Sequence, residues 1–132
     1  MTEKRLRTKI VKMLVGVGAF AVENSVLPGT PDVCCTLGWI ELKLGKWPKT
    51  NRGRVNIDLR TSQRVWMKRW SAVGGRCWTL TFINSEFFLH KGVWAADNFG
   101  DALELEFRAN AFATWTWDKP ITRESLIKEM IK

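Results

Sequence analysis

Apolar residues at Leu6, Ile10, Met13 and Leu14 recur at the spacing of one helix face. Thr2 stands where a cap belongs, so the pattern predicts a first helix running to about Val15 and ended by Gly16 and Gly18. The period then shortens. Phe20–Ser25 reads as a short strand, Leu27-Pro-Gly-Thr-Pro as a turn, Asp32–Thr36 as a second strand and Trp39–Leu44 as a third. Gly38 marks the turn of a hairpin over 32–44. Gly45–Asn56 is a loop rich in glycine, lysine and arginine, and an unstructured loop of about a dozen residues points to function or disorder. A second helix is predicted to start at Thr61 or Ser62, to turn Trp66, Trp70 and Val73 inward, and to end at Gly74-Gly75. Arg76–Phe82 and Glu86–His90 form another hairpin around Asn84-Ser85. A third helix is expected over Phe99–Ala109, and a last one from about Thr122 with Leu126, Ile127, Met130 and Ile131 as apolar positions. The order αβββαββ followed by helices indicates an α/β domain with a mixed central sheet.

The 132 residues fit one domain, and a 45% hydrophobic content affords a core without disulfides or a structural metal. The apolar stretch Val11–Val22 is too short to span a bilayer and is interrupted by Lys12 and two glycines. No helix combines a basic face with a large exposed apolar one, which argues against a membrane partner. The residues after Met1 lead into no signal-like run, so an intracellular, cytoplasmic location is expected. Cys34, Cys35 and Cys77 are odd in number and two are adjacent, which suits buried reduced thiols in a reducing compartment.

Charge changes the picture more. The net charge is +8, a balance that favours polyanions. Nine basic residues lie between Lys43 and Arg69, with Asp58 the one acid among them. Lys46, Lys49, Arg52, Arg54, Arg60 and Arg64 are therefore candidate contacts to a phosphate backbone.

This basic stretch follows the segment with the most chemistry. Side chains two apart on a strand share a face, so Glu41 and Lys43 point one way while Ile40, Leu42 and Leu44 pack on the other. A hairpin can bring Asp32 beside Glu41. Two carboxylates repel, and one is pushed towards neutrality. A hard divalent cation removes that conflict, and Mg²⁺ accepts one or two carboxylates while keeping several waters. Such an ion can bind a phosphate oxygen and acidify a water, which Lys43 can orient. His90, the sole histidine, reads as structural. Most of the eight tryptophans read as core, while Trp47, inside the basic loop, is a candidate for stacking at a branch.

Pro31-Asp32, followed after nine positions by Glu41-Leu42-Lys43, resembles the motif of the PD-(D/E)XK nucleases. The surroundings are similar to the subgroup of VRR-NUC nucleases and archaeal-type Holliday-junction resolvases. Glu3 matches its acidic residue on the first helix, and Gly29-Thr30-Pro31-Asp32 its Gly-x-Pro-Asp turn. Thr61-Ser62-Gln63 matches its polar helix start, and Gly74-Gly75 the glycine before the next strand. The likeness covers roughly residues 3–90. The loop after Lys43 is longer and more basic than the family pattern, and 91–132 carries no matching motif.

The resemblance implies a restriction-endonuclease-like core with a C-terminal helical extension and a metal-dependent endonuclease acting on branched DNA. Asp32, Glu41 and the Leu42 carbonyl would hold Mg²⁺, for which Mn²⁺ can substitute. Glu3 would serve a second ion or an outer-shell water. Lys43 would position the attacking water, and Gln63 would orient Lys43 or the ligands. Paired cuts imply a homodimer, for which Leu126, Ile127, Met130 and Ile131 could be an interface, though docking on the sheet is equally simple. A small isolated nuclease domain would suit a phage or mobile element. The alternatives are a sequence-reading or nicking nuclease of the same fold, and a DNA-binding module with a vestigial site.

Overall fold

The computed structural model describes residues 1–22 and 28–132. Helix α1 spans Glu3–Met13, and the Thr2 hydroxyl caps it by accepting from the Arg5 N–H at 3.2 Å. A short 3-10 turn, Val15–Val17, follows and closes on Gly18 at φ +76°. Strand β1 is Phe20–Ala21. The remainder of the strand expected to Ser25 falls largely outside the described residues, as does Leu27 of the expected turn. The hairpin expected over 32–44 is present as β2, Val33–Cys35, and β3, Gly38–Leu44, with Val33 opposite Ile40.

Helix α2 covers Thr61–Ala72 and leads to β4, Cys77–Ile83. Strand β5, Glu86–Lys91, returns after Asn84 and Ser85, whose φ values of +46° and +68° suit a two-residue hairpin turn. Of the third helix expected over Phe99–Ala109 only Glu104–Ala109 is helical, as α4, and a preceding helix, α3, Gly92–Asn98, was not expected. Gly100 at φ +89° separates them, a conformation no helix interior accepts. The three-residue strand β6, Ala113–Trp115, was not expected, and helix α5 spans Arg123–Met130.

The sheet runs in order β1 to β6. All neighbours are antiparallel except β3 and β4, which pair in parallel. A parallel pair needs a crossover, and α2 supplies it. The mixed sheet is flanked by helices, as expected for a restriction-endonuclease-like core.

Strand alternation sorts the side chains into two layers. Ile40, Leu42, Leu80, Phe87 and Leu89 face Leu6 and Ile10 of α1 and Leu126 and Met130 of α5. Cys77, Ile83 and Phe88 face Met67 of α2, Ala95 and Ala96 of α3 and Phe107 of α4. Leu126 and Met130 are thus spent on the sheet, while Ile131 is exposed. Trp70 and Val73, expected inward on α2, are 37% and 82% exposed. The helix buries Gln63 and Met67 instead, one turn apart.

The basic loop is more ordered than its composition suggests. Lys46 and Asn56 exchange backbone hydrogen bonds of 3.0 and 2.9 Å, closing it as a small arch. Beyond it Val55, Ile57 and Leu59 are buried while Arg54, Asn56, Asp58 and Arg60 are exposed. Trp47 is not free to wedge into DNA. It packs edge-on against Phe88 and Phe107, with ring centroids 5.3 and 5.7 Å away, and carries the Arg108 guanidinium on its face. His90 is structural, as expected: fully buried, 2.8 Å from the Phe107 carbonyl through Nε2 and stacked on Trp94. Burial lowers its pKa to about 4.

Arg64 also has a structural task. Its guanidinium donates to the carbonyls of Leu59, Ala96 and Phe99 at 3.0, 2.9 and 2.7 Å, tying α2 to α3. Hydrogen bonds that involve a charged group contribute about 1.5–3 kcal/mol each, net of the water they replace. Arg64→Ala is expected to lower unfolding stability by roughly 3 kcal/mol, read as a shift in the urea midpoint. A near-neutral result would return Arg64 to the set of free phosphate contacts.

Candidate active site

Strand β2 begins at Val33, one residue too late to pair with the outer half of β3. Odd-numbered residues of this segment turn their backbone groups to β4, as the bonds Trp39 N–H to Arg76 O and Gly45 N–H to Phe82 O show. Leu42 therefore turns its N–H and its carbonyl to the opposite edge. There the Asp32 carboxylate replaces the missing strand, and Oδ2 accepts from the Leu42 N–H at 2.9 Å. This one bond fixes Asp32 beside Glu41 and places it on the side to which the Leu42 carbonyl also points.

Glu41 and Lys43 lie on the α2 face, and both are buried. Their neighbour from the helix is Gln63. Its Nε2 donates to Glu41 Oε1 at 2.6 Å. Its Oε1 accepts from Lys43 Nζ at 3.2 Å and from the Arg60 N–H at 2.9 Å. The amide orientation follows from its partners, since an ammonium and an N–H both require the oxygen. The Arg60 bond is also half of a capping box, so a single side chain starts α2 and ties it to β3.

Gly29 makes this approach possible. A Cβ there would lie 2.1 Å from the Ser62 carbonyl oxygen, and the residue sits at φ +90°. The Gly-x-Pro-Asp turn thus presses against the first turn of α2, which carries Gln63. Two parts of the sequence motif, 30 residues apart, are one contact.

The electrostatics are those of crowded anions. Burial, and then the charge of Asp32, raise the Glu41 carboxyl pKa to about 8, against an opposing pull from Lys43 at 3.6 Å. Cys77 lies on the same face, and burial followed by the charge of Glu41 pushes its thiol up to about 12. In register with Glu41 and Lys43 on β4 stand Thr79 and Thr81, buried, whose hydroxyls have no hydrogen-bond partner among the described residues. These two were missed from sequence, although their alternation marks a polar stripe inside an apolar strand. Two carboxylates and a main-chain carbonyl form a hard-oxygen donor set, in which burial and the neighbouring Asp32 both disfavour an ionised Glu41 without a further cation. The residues fit Mg²⁺ or Mn²⁺.

The structure therefore unites Asp32, Glu41, Lys43 and Gln63. It does not add Glu3, which is exposed at the start of α1. No three acidic, histidine or cysteine side chains group together among the described residues. Lys46, Lys49, Arg52 and Arg60 are exposed on the arch and at the start of α2. Arg54 is exposed but donates to the Asp101 carbonyl. None of the described helices is long and apolar enough to cross a membrane.

A raised Glu41 pKa makes the metal-free fold bind more protons than the unfolded chain between the ordinary glutamate range and about pH 8. Stability contributed by the protonated group is present at low pH and lost as pH rises through 8. Between pH 7 and 8, above the ordinary histidine range so that His90 adds only a small opposing slope, the metal-free protein is expected to lose up to about 1.4 kcal/mol. Glu41→Gln should flatten that slope in chelator-treated samples followed by thermal melts. An unchanged slope would mean that Glu41 is already ionised. The chain matches no known protein-family model, and a search of curated proteins finds no match to it.

Proposed function

We propose that this protein is a metal-dependent DNA endonuclease of the PD-(D/E)XK type, selective for branched DNA. The observation that supports it most is the junction of Asp32 and Glu41 at the free edge of β3, with a buried Lys43 held between Glu41 and Gln63. Asp32, Glu41 and the Leu42 carbonyl are the groups that would hold Mg²⁺ or Mn²⁺. The chemistry supplied by a divalent cation at this position is polarisation of a phosphate oxygen and acidification of a nearby water.

The protein's own contribution is placement. Gln63 accepts from Lys43 and so fixes its ammonium, which orients the attacking water and offsets charge developing on the phosphate. Asp32 is immobilised by the Leu42 N–H before any substrate arrives. The exposed Lys46, Lys49, Arg52 and Arg60 supply phosphate contacts, each contributing roughly one unit to the salt slope of binding. The proposal includes a homodimer, because paired cuts across a branch need two centres. Glu3 remains a proposed outer-shell contributor, which would require movement of α1 or an intervening water.

Cleavage of a labelled four-way junction beside a matched linear duplex, with Mg²⁺, tests the reading. Wild type should make paired cuts near the branch. Asp32→Asn should abolish them with binding retained, and Lys43→Ala should slow them by about 10²–10³-fold. Equal cutting of both substrates would remove branch selectivity. Wild-type rates in either variant would remove the assigned centre.

A further inference from the structure

Helix α1 turns Leu6 and Ile10 into the core, both fully buried in the layer of Ile40 and Leu42. Its remaining surface is cationic. Lys4, Arg5, Lys9 and Lys12 are exposed and Arg7 is half-buried. None of the five forms an ion pair among the described residues, and Glu3 is the helix's one acid. Arg5 and Lys9 are four residues apart and Lys9 and Lys12 three, so three like charges stand in one row about 10 Å long. Such neighbours repel and weaken a helix unless an opposite charge lies against them.

This row and the basic arch lie on opposite faces of the sheet. The arch seats Trp47 and Val55 in the layer of Phe88 and Phe107, away from α1. The carboxylates lie at the edge between the two. Arg7 and Lys12 line a shallow groove that reaches Ala21 of β1. The next residue, Val22, donates its N–H to the Asp32 carbonyl at 2.8 Å.

We propose that the outer face of α1 holds the phosphate backbone of a second duplex arm, while the arch holds the first. The inference rests on the nuclease reading and deepens it by naming what tells a branch from a straight duplex. DNA is stiff over tens of base pairs, so a straight arm seated on the arch stays on that face. Two arms that diverge from a branch can engage both faces at once. The row from Arg5 to Lys12 matches about three base-pair rises, along which a strand presents successive phosphates.

Charge and burial select this occupant. A second copy of the chain set on this face by two-fold symmetry would bring the same positive charge. A bilayer surface is held by a helix that offers an apolar face beside its basic one, and α1 has spent Leu6 and Ile10 on the sheet.

The test is equilibrium binding in EDTA across a range of salt, to a four-way junction and to a matched linear duplex. The variant is Arg5→Gln with Lys9→Gln and Lys12→Gln, which removes three charges and keeps good helix formers. Wild type should show a steeper salt slope on the junction than on the duplex by roughly three units. The variant should lose that excess, bind the junction at least about tenfold more weakly at moderate salt and keep its duplex affinity. Arg5→Lys with Lys9→Arg and Lys12→Arg should behave as wild type. Equal slopes in wild type, equal losses on both DNAs, or no loss in the variant would each overturn the proposal. So would loss of binding to phosphatidylserine vesicles with junction binding intact, since the row would then serve a membrane. Cleavage is scored separately with Mg²⁺. Junction cutting by a variant with unchanged junction binding would sink the second track alone. Junction binding that needs the row, in a wild type that never cuts, would sink the nuclease reading alone.

Discussion

The side-chain amide of Gln63 is the junction on which the site depends. It caps the start of α2 through the Arg60 N–H, accepts from Lys43 and donates to Glu41. Each partner uses an atom that only an amide presents in that combination. A carboxylate would lose the donor to Glu41, and an apolar residue would leave Glu41 and Lys43 buried with less hydrogen bonding, a costly state in a low-dielectric interior. The parallel pairing of β3 with β4 supplies the frame, because the crossover it demands brings α2 over the strand that bears Glu41 and Lys43.

Burial and chemistry are coupled here in an unusual proportion. Glu41 and Lys43 are 2% and 7% exposed, yet Asp32 next to them is only half-buried. The pair therefore has a dry side, formed by Cys77, Thr79 and Thr81, and a wet side towards Asp32 and the Leu42 carbonyl. Charges on the dry side are strengthened by the poor dielectric. The Asp32 side remains within reach of solvent. A site built wholly on either side would lose one of these properties.

Much of this was legible before the structure. The two-residue period of Trp39–Leu44 fixed which way Glu41 and Lys43 point, and Gln63 was singled out by the likeness of its helix start to a family pattern. What escaped was set by tertiary contact. The Phe99–Ala109 region reads as helical from its first residue by pattern, but Gly100 takes a left-handed conformation that holds the start back to Glu104. Strand β6 is too short to carry a period of its own and exists because β5 offers an edge. Trp47 looked accessible because its sequence neighbours are charged, while the arch folds it onto Phe88 and Phe107. Glu3 opens the same turn that buries Leu6, yet its own side chain is exposed. Arg64 illustrates the same limit, since sequence distinguishes poorly between an arginine that waits for phosphate and one that binds carbonyls.

The Gly29 contact with Ser62 has a consequence for how the chain acquires its chemistry. The constellation draws on three separate segments, around 29–32, 41–43 and 60–63, and the first meets the third only after the crossover has closed. Loop closure of that length comes late, because its entropic cost precedes the contacts that reward it. The hairpin of β2 and β3 can form early and carries Asp32, Glu41 and Lys43, yet Gln63 is still absent at that stage. A nascent or partly unfolded chain thus holds the two carboxylates and the ammonium without the amide that joins them, and the constellation is complete only in the finished fold.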